Sequence, residues 1–84
     1  MAVATPSPTP NPNAMKFTLD VRLSEMMNVG SAAEASTDFA RAVFAAPGVA
    51  SLFATADFVT VTREVGADWS PIVAAVQAAA GAHL

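Results

Sequence analysis

Seven carboxylates, four Lys or Arg side chains and one histidine are the only ionisable side chains in this 84-residue chain, which has neither Cys nor Tyr. Without Cys there is no thiolate for a metal, no Cys nucleophile and no ligand for a cysteine-held iron–sulfur cluster. The single histidine, His83, lies in the terminal turn and cannot form a His–His metal pair or a Ser–His couple within one chain. Among the carboxylates, Asp57, Glu64 and Asp68 fall near the ends of expected elements. Caps and turns account for them there, and no spacing holds two together for proton transfer. An oxygen-ligated iron site would be the one intrinsic metal chemistry left, weak and poorly selective. The four glycines stand singly at 30, 48, 66 and 81, so there is no phosphate-cradling loop. The chain is not expected to be an enzyme, and no cofactor or metal site is expected.

Charge narrows the partners. The net charge is -3 and the four cations are scattered, whereas nucleic-acid binding needs a basic stripe. No nucleic acid is expected. The uncharged interval of residues 42–56 is 15 residues and is broken by Pro47-Gly48, short of the roughly 20 apolar residues of a spanning helix. Residues 1–13 have neither the basic start nor the apolar run of an export signal. These features predict a cytoplasmic protein without membrane attachment. Hydrophobic residues make up 54%, but 20 of the residues are Ala, which bury little area. The core must come from five Phe, one Trp and the aliphatic side chains, and a weak homodimer would supplement it.

The elements follow from periodicity. Residues 4–13, A-T-P-S-P-T-P-N-P-N, carry proline at alternate positions and predict an extended arm, disordered over 1–8. A single domain over 9–84 follows. Residues 14–21 alternate, with Met15, Phe17, Leu19 and Val21 on one face and Lys16, Thr18 and Asp20 on the other. Residues 22–29 are expected to return as the second strand of a hairpin, with a turn near 22–25. Ser31 and Glu34 fit a reciprocal capping box before a helix whose stripe is Ala35, Phe39, Ala42, Val43 and Ala46. A fresh cap at 36–38 would make the first turn separate. Pro47-Gly48 ends that helix.

Residues 49–54 and 58–64 read as a second hairpin, with Val59 and Val61 opposite Phe58, Thr60 and Thr62. Asp68 caps a last helix with Trp69, Ile72, Val73, Val76 and Ala80 on one stripe and Gly81 at its end. The order β-β-α-β-β-α predicts an α+β two-layer sandwich, an antiparallel sheet with both helices on one face. The other face, with Lys16, Thr60 and Thr62, is left to solvent or a partner.

Three segments carry a family resemblance. They are T-P-N-P-N-A-M-K-F over 9–17, F-A-A-P-G-V-A-S-L-F over 44–53, and D-F-V-T-V-T-R-E over 57–64 with Asp68-Trp69 after it. In this order the chain from Thr9 onward resembles the N-terminal domain of the Nfu/NifU iron–sulfur cluster scaffold proteins. The resemblance implies the same succession of strands and helices. In that family the cluster is held by a C-x-x-C motif in a separate C-terminal domain. The absence of Cys here implies a stand-alone copy of the accessory domain, touching a scaffold, carrier or client protein through its surface. An adaptor unrelated to clusters is the other reading.

Six residues are candidates for such contact. Asn11 and Asn13 form either a rigid bend or a polar lip for a partner. Lys16 is either a solvated strand residue or, with Arg63 on the same face, a contact for an acidic segment. Phe58 and Thr60 lie on the open face, where an exposed aromatic can anchor a partner or a second copy. Met26 and Met27 serve as core filler or as an adaptable patch.

Overall fold

The structure, a computed structural model, describes residues 2–84. Seven elements occur in the order β1 (Ala4–Pro8), β2 (Ala14–Leu19), β3 (Met27–Val29), α1 (Asp38–Phe44), β4 (Val49–Thr55), β5 (Phe58–Arg63) and α2 (Trp69–His83). The strands form one sheet in the order β1-β2-β5-β4-β3. Every neighbouring pair is antiparallel. The α+β sandwich expected from periodicity is the observed architecture, with one strand more than the sequence predicts.

One sheet face is apolar because residues of one parity line up across the strands. Phe17 stands opposite Val59, Leu52 opposite Val61, Ala54 opposite Val59 and Val29 opposite Leu52. All of these are buried. They form a single core with Phe39, Ala40 and Val43 of α1 and Ile72, Val76, Ala79 and Ala80 of α2. Each large side chain closed off in this way contributes about 1.5–3 kcal/mol relative to exposure. The helix starts follow the predicted chemistry. Thr37 Oγ1 accepts from the Ala40 N–H at 3.1 Å, so α1 begins at the second cap. Asp68 Oδ1 accepts from the Ser70 N–H at 3.2 Å at the start of α2.

The proline-rich segment departs from expectation. Residues 4–8 are not a free arm but the edge strand β1, paired with β2 from Ala4↔Leu19 to Pro8↔Met15. Proline has no N–H, so Pro6 and Pro8 cannot donate to β2. The hydrogen-bonded ladder positions are therefore Thr5↔Thr18 and Ser7↔Lys16. The prolines occupy positions whose backbone faces away from the sheet, the one place in a strand where they do no harm. Ala2 and Ala4 are buried, the Ala2 N–H donates to the Ala80 carbonyl at 3.2 Å, and Asp20 Oδ1 accepts from the Val3 N–H at 2.8 Å.

The first predicted hairpin is also corrected. β2 and β3 do not pair; β3 lies at the far edge against β4. The connecting chain crosses the tip of the β4–β5 hairpin. There the Leu19 N–H donates to Asp57 O at 2.7 Å and the Leu23 N–H to Ala56 O at 2.6 Å. The hairpin inserts because β5 offers β2 a continuous Val59, Val61 surface, whereas β3 is only three residues long. The reciprocal capping box does not form either. Residues Ala32–Glu34 make a separate 3-10 turn, and the Ser31 side chain caps nothing. Glu34 Oε2 instead accepts from the Gly30 N–H at 3.0 Å. α2 continues past Gly81 to His83, since a lone glycine does not end a helix already anchored in the core.

Candidate protein-contact surface

The open sheet face is built by the parity opposite to the core. Pairing aligns Ser7, Lys16, Thr60, Phe53 and Asn28 in one row across the five strands, with Thr18, Phe58 and Thr55 in the next. Three of the predicted residues, Lys16, Phe58 and Thr60, come together here. The Lys16 Nζ sits 4.8 Å from the centre of the Phe58 ring, a cation–π contact. Phe53 and Phe58 have ring centroids 6.4 Å apart at a tilt of 49°. Phe53 lies in the apolar run 49–54, which has no alternation of its own to mark it as a contact residue. Its signal is parity within the hairpin: with Thr55 paired to Phe58, Phe53 falls opposite Thr60.

The other three predicted residues assemble elsewhere. Arg63 does not share the face of Lys16. It has the parity of Val59 and Val61 and therefore reaches the helix side, at the rim where α2 begins. Its Nε donates to Asn13 Oδ1 at 3.3 Å and its Nη1 to the Ala67 carbonyl at 2.9 Å. The guanidinium carbon lies 5.2 Å from the Trp69 ring centre. Asn11 Oδ1 accepts from the Asn13 N–H at 2.9 Å, and Thr9 Oγ1 donates to the Ala14 carbonyl at 2.9 Å. Both asparagines are thus engaged in the β1–β2 turn, as the turn chemistry of N-P-N predicts. This corner ties β5, the turn and α2 together.

The described residues form no pocket. Among them no three His or carboxylate side chains converge to hold a metal ion. The one ion pair among them, Arg41 with Asp38 at 3.5 Å, is exposed. Asp68 is committed to its helix cap, and His83 is exposed in the last turn of α2. Met27 packs partly against the core, while Met26 is 65% exposed. No helix of the described residues is long and apolar enough to cross a membrane. The open sheet face presents threonines, two phenylalanines and one lysine.

A family model described as scaffold protein Nfu/NifU N terminal matches residues 5–84. The chain belongs to the Nfu/NifU N-terminal family. Over 69 residues this Nfu/NifU N-terminal domain is 38% identical to the NFU1 iron-sulfur cluster scaffold homolog, mitochondrial, of Drosophila ananassae. It is 36% identical to the protein of the same name in Drosophila persimilis. The aligned part is 76% of this chain but only 24% of either relative, so the chain spans about a quarter of their length. The fold is similar to the crystal structure of SAV1430 from Staphylococcus aureus, with a TM-score of 0.78 and 28% identity over 92% of this chain and 96% of that one. SeR13 from Staphylococcus epidermidis aligns at a TM-score of 0.61 and 29% identity, covering 87% of each chain. The Nfu/NifU match covers β1 from its second residue, so the proline-rich strand belongs to the family domain.

Cluster ligands do not fit these residues. Iron–sulfur clusters are held chiefly by thiolates, and the 84 residues contain no Cys and a single, exposed His.

Proposed function

We propose that this Nfu/NifU N-terminal domain is a non-enzymatic contact module of iron–sulfur cluster assembly, which recognises a scaffold, carrier or client protein. The observation that carries this is membership of a scaffold family over residues 5–84 in a stretch of chain without a single thiolate. The cluster is the cargo of the process, and this domain supplies a surface. The sheet face with Lys16, Phe58 and Thr60 is the contact surface most in keeping with this role. It is half apolar and its side chains hold no other element, while the Asn13–Arg63–Trp69 corner is occupied with holding the fold.

Affinity capture from the source cell with the tagged domain, read by mass spectrometry against an unfolded control, tests the proposal. Repeated recovery of a cluster scaffold, carrier or iron–sulfur client is expected. A reproducible partner set containing none of these would assign the domain to an unrelated adaptor role.

A further inference from the structure

We propose that the open sheet face receives an amphipathic helix of the partner protein, laid so that a carboxylate of that helix meets Lys16. This deepens the contact role above and rests on it. The first support is that both sheet edges are closed to strand addition. On β1 the outward backbone positions are 4, 6 and 8, and Pro6 and Pro8 have no N–H to offer. At the other edge the ladder alternation turns Met27 and Val29 towards β4, leaving Asn28 outward and Gly30 next in line. The Gly30 N–H is already given to Glu34 Oε2 at 3.0 Å. A partner strand would find one usable residue there.

The second support is backbone accounting. A segment pressed onto a sheet face, rather than its edge, gains no main-chain hydrogen bonds from it. It must satisfy its own N–H and C=O groups, and a helix does so. The threonines and the Phe53–Phe58 pair present the half-apolar floor that a helix stripe needs.

The third support is charge. The strand positions of this face hold no carboxylate and one cation, Lys16; Asp20, next in the same parity, lies just past the end of β2 with its Oδ1 on the Val3 N–H at 2.8 Å. A second copy docked face to face would cover two lysines with only the rim Asp20, already holding the Val3 N–H, to meet them, which is costly once water is excluded. A partner that brings Asp or Glu neutralises Lys16 and keeps its contact with Phe58.

Two phage-displayed peptide libraries probe the face. One is randomised along one side of an alanine-based helix; the other randomises alternate positions of an extended peptide. The baits are the whole chain, its Lys16→Glu variant and its Phe58→Ala variant, each shown folded by circular dichroism. The helix library is expected to enrich on the wild type with Asp or Glu at one facing position. On Lys16→Glu that position should turn to Lys or Arg, and wild-type-selected peptides should bind about five- to tenfold more weakly. Phe58→Ala should lose the enrichment. Enrichment of the extended library alone, an acidic preference that survives Lys16→Glu, or no enrichment above the Phe58→Ala control would each overturn the proposal. So would a dimer in sedimentation that Phe58→Ala abolishes, since the face would then serve a second copy. If capture from the source cell recovers an assembly protein while the display fails, the face is wrong and the pathway stands; the converse result removes the pathway and keeps the face.

Discussion

Arg63 shows how one side chain can hold three elements without an ion pair. Its guanidinium spans Asn13 Oδ1 and the Ala67 carbonyl and lies against Trp69. Arg63→Ala should destabilise the domain by about 1–3 kcal/mol in urea unfolding, from two lost hydrogen bonds and one cation–π contact. Arg63→Lys should recover little of this, because an ammonium cannot bridge both acceptors with the planar fork. Two backbone positions give a second residue-scale contrast. Gly48 has φ +87°, and a Cβ placed on it would lie 2.5 Å from the Ala67 Cβ. Gly48→Ala should therefore cost more than about 1 kcal/mol. Ala56, at the tip of the β4–β5 hairpin, has φ +53°, a conformation that penalises a side chain. Its carbonyl is held there by the Leu23 N–H at 2.6 Å. Ala56→Gly should stabilise the domain by about 0.5 kcal/mol after the added flexibility of the unfolded chain is subtracted, read as a higher urea midpoint.

At the scale of elements, the sheet edges are where composition has its largest effect. Restoring outward N–H groups by the double change Pro6→Thr and Pro8→Thr would leave the Thr5 and Ser7 ladder to β2 in place. It would also create a pairable edge. Concentration-dependent self-association in sedimentation velocity is expected, with Glu34→Ala adding to it from the opposite edge. Monomers at all concentrations would show that the prolines have no such effect. The same edges explain what was legible in the sequence. The strand at 14–19, the β4–β5 hairpin and the caps at Thr37 and Asp68 follow from local periodicity and side-chain chemistry. β1 is not legible in the sequence because alternating proline is a signature of unpaired extended chain. Only the partner strand reveals that the prolines face outward. β3 was given the wrong partner because a three-residue strand carries almost no register of its own. Of the contact candidates, Lys16, Phe58 and Thr60 were placed together by alternation alone. Arg63 continues the parity of Val59 and Val61, which places it on the helix side and not beside Lys16.

At the scale of the molecule, the distribution of ligating groups decides what the domain can contribute to cluster assembly. The chain folds to a radius of gyration of 11.2 Å, yet its carboxylates are spread over turns and helix ends so that no three converge among the described residues. Hard oxygen donors held singly bind ferrous iron weakly, and a cluster needs thiolates. Anaerobic titration with ferrous iron should show no saturable binding tighter than about 100 μM. Reconstitution with iron and sulfide should leave the protein colourless. Stoichiometric uptake, or a brown protein with cluster absorption, would refute both this and the contact role. Under the contact role proposed above, the domain acts on cluster transfer by association, raising the local concentration of donor and acceptor. Adding it to a transfer reaction between purified partners, one of which it binds, should therefore shift the protein concentration at half-maximal rate. The rate at saturation should stay unchanged, because the bonds made and broken there belong to other chains. A change in the saturating rate with no change in concentration dependence would mean that the domain acts on the chemical step itself.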